Sequence, residues 1–142
     1  AIDLFWVSPG KRIVLDQEKL DKIEKLVIQS LFNGLDPEKK IVQLSEGTRK
    51  NVKSSKVISR VIIDNNISNS HTIIEVNGKN KPGLLYKLTN EIKNLGLQIQ
   101  YASVSTFGIR VVDVFYVKDI FGMKVDSKKR ENLIKEKINS IL

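Results

Sequence analysis

HTIIEVNGKNKPGLLYKLTNEIKNLGLQIQYASVSTFGIRVVDVFYVKD, residues 71–119, reads as strand, tight loop, helix, strand, turn, strand. Residues 72–76 form a short apolar run of strand character. The segment Asn77-Gly78-Lys79-Asn80-Lys81-Pro82-Gly83 then leads straight into an amphipathic helix with Leu84, Leu85, Leu88, Ile92 and Leu95 on one stripe. Pro82 is expected in the first helical turn, where its missing N–H costs nothing, and Gly96 supplies the stop. A strand-to-helix junction of this kind aims unpaired backbone N–H groups and a positive dipole end at whatever lies in front of it. That suits a small anion such as an amino-acid carboxylate. A plain turn closed by Gly and Pro accounts for the same residues equally well, and nothing nearby has catalytic character.

After the helix, Leu97, Ile99, Tyr101 and Ser103 alternate with more polar residues, as on one face of a strand. Phe107-Gly108 turns the chain, and residues 110–118 (RVVDVFYVK) form a dense apolar strand expected at the centre of its sheet. Asp126 or Ser127 then caps a last helix with Leu133, Ile134, Ile138 and Ile141 inward. Upstream, residues 57–64 (VISRVIID) have strand character and are expected to pair antiparallel with residues 72–76. Residues 1–7 (AIDLFWV) read as a buried strand, Ser8-Pro9-Gly10 as a turn, and Asp16 as the cap of a helix carrying Leu20, Ile23, Val27 and Leu31. Asn33-Gly34 ends it. Residues 35–56 lose periodicity and are expected to act as a mobile linker.

A shift of 110 residues lays Ile2-Asp3-Leu4-Phe5-Trp6-Val7 over Val112-Asp113-Val114-Phe115-Tyr116-Val117. It also lays Asp16 over Asp126, Ile23 over Leu133 and Ile28 over Ile138. Strand, cap and helix register all agree, so residues 1–33 read as the back half of one module, 34–56 as a linker and 57–142 as a second module. The chain begins inside an apolar run without Met and is expected to be a piece of a longer protein.

The length, 142 residues, suffices for one domain with a real core plus a fragment. Hydrophobic and charged contents of 41% and 28% are those of an ordinary globular protein. No apolar run approaches membrane-spanning length and no signal peptide opens the chain, so no membrane partner is expected. With no Cys and a single His there is no disulfide, thiolate site or His cluster, and no metal or cofactor is expected on this chain. The net charge of +8 would suit a nucleic acid, but most Lys stand beside Glu and Asp on helix faces and in the linker. Phe115 and Tyr116 on a central strand invite comparison with an RNA-binding sheet, which needs matching aromatics on a neighbouring strand. Residues 72–76 offer none, so both rings are assigned to the core and no nucleic-acid partner is expected.

Asn80-Lys81-Pro82-Gly83-Leu84-Leu85-Tyr86, Gly96-Leu97-Gln98-Ile99 and Val112-Asp113-Val114-Phe115-Tyr116-Val117-Lys118-Asp119 together resemble the ACT domain. The likeness is to the second of two tandem ACT domains at the C-terminus of bacterial PII uridylyltransferase/uridylyl-removing enzymes, and it spans nearly the whole chain apart from the linker. It implies an α+β, ferredoxin-like fold, an antiparallel sheet with two helices on one face, preceded by a half module. It further implies a cytoplasmic parent enzyme that uses Mg2+ and UTP, adds UMP to the PII signalling protein and removes it, with its catalytic residues elsewhere. The ACT part would sense glutamine. The amino-acid site so implied comprises Asn77, Gly78, Asn80, Lys81, Pro82, Gly83 and Leu84, with Gln98, Ile99 and Gln100 of the following strand. Where the family has Asp-Arg-Pro-Gly, this chain has Asn80-Lys81-Pro82-Gly83; Asn80 keeps an acceptor oxygen for an ammonium but not the charge that would strengthen the bond.

The rival reading is a structural module that dimerises through its sheet or helices and binds nothing. Apolar surface on Phe5 and Trp6 of the half module would favour a homodimer or domain-swapped self-association. Asp113 and Asp3 stand within apolar strands, where a carboxylate is costly unless paired; Arg110 is the partner expected for Asp113.

Overall fold

The computed structural model describes residues 4, 6, 15–32, 34–46 and 56–142, and the chain divides into two compact units, Ala1–Lys40 and Ile41–Leu142. In the first unit, helix α1 (Gln17–Phe32) starts at Asp16, whose Oδ1 accepts the Lys19 backbone N–H at 3.0 Å. The Lys19 ammonium donates to the other oxygen at 2.6 Å. A carboxylate here satisfies a first-turn donor and faces the positive end of the helix dipole. Gly34 follows the helix with φ 66°. No residue of α1 is buried, the apolar stripe included. The strand expected over residues 1–7 and the turn at Ser8-Pro9-Gly10 lie outside the described residues, apart from Leu4 and Trp6, which are exposed.

Within the stretch read as aperiodic, a helix α2 (Pro37–Glu46) forms. Asp36 caps it, Oδ1 accepting the Glu38 N–H at 2.9 Å, and Pro37 takes the first helical position. This Asp-Pro pair is the signal that periodicity alone passes over.

The second unit is built on a four-stranded antiparallel sheet in the order β1-β2-β4-β3. Its strands are β1 (Arg60–Asp64), β2 (Thr72–Lys79), β3 (Leu97–Phe107) and β4 (Arg110–Asp119). Helix α3 (Leu84–Asn94) connects β2 to β3, and α4 (Lys128–Asn139) follows β4. The β1–β2 hairpin forms as expected, with Val61 opposite Val76 and Ile63 opposite Ile74, so the edge strand comes from the N-terminal side. The apolar β4 lies inside the sheet, between β2 and β3.

One face of the sheet carries the core: Val61, Ile74, Val76, Phe115 and Val117 pack with Leu88 and Ile92 of α3 and Ile134 and Ile138 of α4. Leu85 and Leu133, expected inward, are 42% and 46% exposed. Each is the immediate neighbour of a buried residue, Leu84 or Ile134, and sits about 100° further round its helix. The assignment of both central aromatics to the core holds for Phe115 only. Successive strand residues point to opposite faces, so Tyr116 lies on the face away from the helices. There its ring stands edge-on to Tyr101 at 5.4 Å and to His71 at 6.2 Å.

Strand β3 departs from simple alternation. Ile99 pairs with Val117 and Tyr101 with Tyr116, leaving Gln100 as the extra residue of a bulge. Leu97 and Ile99 therefore share a face with Ala102, Val104 and Thr106, not with Tyr101 and Ser103 as the residue alternation implies.

Candidate functional site

At the end of β2 the Asn80 N–H donates to the Ile109 carbonyl at 2.8 Å, tying the chain's exit from the sheet to the β3–β4 hairpin. The next four residues form a turn closed by the Leu84 N–H on the Lys81 carbonyl at 3.1 Å. Pro82 at its second position and Gly83 at its third, with φ 76° and ψ 3°, give the type II geometry, which needs a positive φ where Gly stands. Pro82 therefore precedes α3 instead of entering its first turn. Gly83 is also crowded: a Cβ there would lie 2.6 Å from Ile41 Cγ2.

No side chain caps α3, and Lys87 is the first residue whose N–H bonds back to Gly83, at 3.0 Å. The N–H groups of Leu85 and Tyr86 have no acceptor within the helix. Beside them opens a groove of about 610 Å³. Asn80, Lys81, Pro82, Gly83, Leu84 and Leu85 form its rim, with Thr89 further along α3. Val104 and Thr106 of β3 and Val111 and Asp113 of β4 form its sheet wall, and Ile41 lies against it.

The ten residues expected at the site thus fall into two sets. Asn80, Lys81, Pro82, Gly83 and Leu84 line the groove. Asn77 and Gly78 belong to β2, hydrogen-bonded into the ladder opposite Val112 and Val111. Asn77 lies on the helix-free face, its side-chain amide donating to Glu75 at 2.7 Å; Gly78 is buried on the other face, near Leu142 and Val111. Gln98 is exposed on the helix-free face opposite Lys118, Ile99 packs at the core margin, and Gln100 is the bulge residue. None of these three lines the groove. Lys81 does, and its ammonium donates to the Leu142 carbonyl.

Asp113 is the group whose place in the groove the residue pattern conceals. It is 2% exposed, on the core face between Val111 and Phe115 and opposite Val76 and Val104. Its Oδ1 is buried without a hydrogen-bond partner. Burial pushes its carboxyl above the ordinary aspartate range, with the Ser105 backbone N–H acting the other way. Arg110 is not its partner: three positions away on a strand, Arg110 points to the opposite face and is exposed. Among the described residues no group of three or more His, Cys, Asp or Glu is gathered to hold a metal ion. No helix among them is long and apolar enough to cross a membrane.

With this geometry in view, the likeness to known proteins takes a definite form. The chain is 40% identical over 138 residues to the bifunctional uridylyltransferase/uridylyl-removing enzyme of Gluconobacter oxydans (strain 621H), a match covering 96% of this chain and 14% of that protein. It is 39% identical over 140 residues to the enzyme of the same name from Azospirillum brasilense, covering 97% and 15%. With the one from Rhodospirillum rubrum the identity is 36% over 143 residues, covering 100% and 15%. The chain thus spans about a seventh of the length of these relatives. The family described as an ACR9-like, ACT-like domain matches residues 60–141, the stretch that holds the whole sheet and both packed helices. Strand order, helix placement and that match agree, and the chain belongs to the ACT-like domain family, with the α+β ferredoxin-like fold.

Proposed function

We propose that this chain is the regulatory, amino-acid-sensing region of a larger enzyme that uridylylates and deuridylylates the PII nitrogen-regulatory protein, and that glutamine is the metabolite it reads. One observation carries the ligand-binding half of this reading: the type II turn leaves the Leu85 and Tyr86 N–H groups at the head of α3, beside a groove lined by Asn80. A carboxylate seated there meets both donors and the positive end of the helix dipole. The Asn80 side-chain oxygen accepts from the ammonium at the rim. Similarity to bifunctional uridylyltransferase/uridylyl-removing enzymes supports the parent activity. In this reading the parent is cytoplasmic, takes Mg2+ and UTP in its own catalytic domains, and passes the glutamine signal to them. Titration calorimetry tests it, with L-glutamine added to the 142-residue chain and, in parallel, to the full-length enzyme. Saturable heat at or below millimolar glutamine is expected; silence in both proteins overturns the sensing role.

A second reading, a scaffold that dimerises without a ligand, is favoured by Ile41, whose side chain occupies the space in front of Gly83. Light scattering coupled to chromatography separates the two: a scaffold gives a dimer whose population ignores glutamine.

A further inference from the structure

One buried oxygen of a carboxylate in the groove wall lacks a partner, and among the described residues no basic side chain lines the groove beside it except Lys81 at the rim. Asp113 is 98% buried by its 2% exposure, and Oδ1 has no hydrogen-bond partner. Its neighbours on the same face are apolar: Val111 and Phe115 along β4, Val76 and Val104 across the ladders. A charge in such surroundings is costly unless something pairs with it. The nearest basic residue in sequence, Arg110, is exposed on the opposite face, and the Lys81 ammonium at the rim is engaged by the Leu142 carbonyl. Asn80 at the rim brings an acceptor but no charge.

We infer that the Asp113 carboxylate is the charged partner of the ligand's ammonium in this groove, beside the neutral Asn80 acceptor at the rim, so that the ligand is a zwitterionic α-amino acid and not a simple anion. The inference rests on the sensing reading above and adds the group that recognises the ligand's charge. The two ends of a zwitterion find opposite complements in one groove: amide donors at the head of α3 for the carboxylate, and Asp113 in the sheet wall for the ammonium. Thr106, which lines the same groove, adds a hydroxyl that can donate or accept, and the Thr89 hydroxyl, which donates to the Tyr86 carbonyl at 3.0 Å, can still accept from a polar side chain. An ammonium reaching Asp113 forms a charge-assisted bond away from bulk water, where such bonds are strongest. An apolar wall with one buried carboxylate also discriminates: a ligand lacking the ammonium would leave the acid's Oδ1 as it stands, without a partner.

The test compares L-glutamine with glutaramate, the same molecule without its α-ammonium, on the 142-residue chain and on its Asp113→Asn variant. On the wild type, glutamine is expected to bind about ten- to a hundredfold more tightly than glutaramate. In Asp113→Asn, glutamine affinity falls by a similar factor while glutaramate affinity stays within about twofold. Equal affinity of the wild type for the two compounds overturns the assignment, and that arm needs no variant to fold. Asp113→Asn binding glutamine as tightly as wild type also overturns it, since Asn keeps the shape and loses only the charge. In both of those cases the sensing reading survives, because glutamine still binds. Should neither this chain nor the full-length enzyme bind either compound, the sensing reading falls and this assignment falls with it.

Discussion

The Thr72 hydroxyl donates to Asn65 Oδ1 at 2.6 Å and accepts the Val125 backbone N–H at 2.8 Å. The Asn65 amide in turn donates to the Val125 carbonyl at 2.7 Å and to Glu131 at 2.8 Å. This network joins the β1–β2 connection to the start of α4, and Thr72 is fully buried within it. Thr72→Val keeps the volume but strands the buried Val125 N–H and the half-buried Asn65 Oδ1. It is expected to cost about 2–4 kcal/mol in urea denaturation. Thr72→Ser, which keeps the hydroxyl, should retain most of that stability.

Gly83→Ala meets two penalties of different origin. A side chain at φ 76° costs about 1–2 kcal/mol wherever it stands. The added Cβ also lies 2.6 Å from Ile41 Cγ2. Pairing Gly83→Ala with Ile41→Ala removes only the second, so the double variant should be less destabilised than the sum of the two singles. Strict additivity in urea midpoints would show that Ile41 does not press on the turn.

Asp113 and Glu131 should move stability in opposite directions with pH. Burial raises the Asp113 carboxyl, so its contribution is full below the ordinary value of 3.8 and is lost as pH climbs through the folded-state value. Asp113→Asn is therefore expected to be more stable than wild type at pH 7, by about 1 kcal/mol, and to lose that advantage in acid. Thermal melts from about pH 3 to about pH 7 read the convergence directly.

Glu131 is held below its ordinary 4.5, first by the Lys128 ammonium and then by the Asn65 amide, with burial opposing. Its contribution is full above 4.5 and is lost as pH falls through the folded-state value. Glu131→Gln should flatten the acid side of the stability curve and leave the neutral side nearly unchanged in slope.

Much of the fold could be read from residue order. The α3 stripe, its stop at Gly96, the inside position of β4 and the β1–β2 hairpin all rest on local pattern plus the need to bury one face. Local pattern failed where pairing overrode it. Asn77 and Gly78 read as loop residues, yet β2 runs on through them to Lys79 because β4 pairs with them along its first residues. Half of the expected site, from Asn80 to Leu84, follows from the Pro-Gly turn, whose type sets where the helix begins. The sheet wall was hidden because Val104, Thr106, Val111 and Asp113 look like ordinary strand residues. Only the register of two ladders gathers them. Asp113 did stand out as a carboxylate in an apolar strand, but proximity in sequence suggested Arg110, and strand geometry sends that residue away.

The extra residue at Gln100 sets the parity of everything beyond it on β3. Were Gln100 to pair with Tyr116 in regular alternation instead of bulging, Val104 and Thr106 would turn to the helix-free side, and Ser103 and Ser105 would take their places over the acid. One residue with no contact in the cleft thus decides whether aliphatic or hydroxyl-rich chemistry stands next to the buried charge.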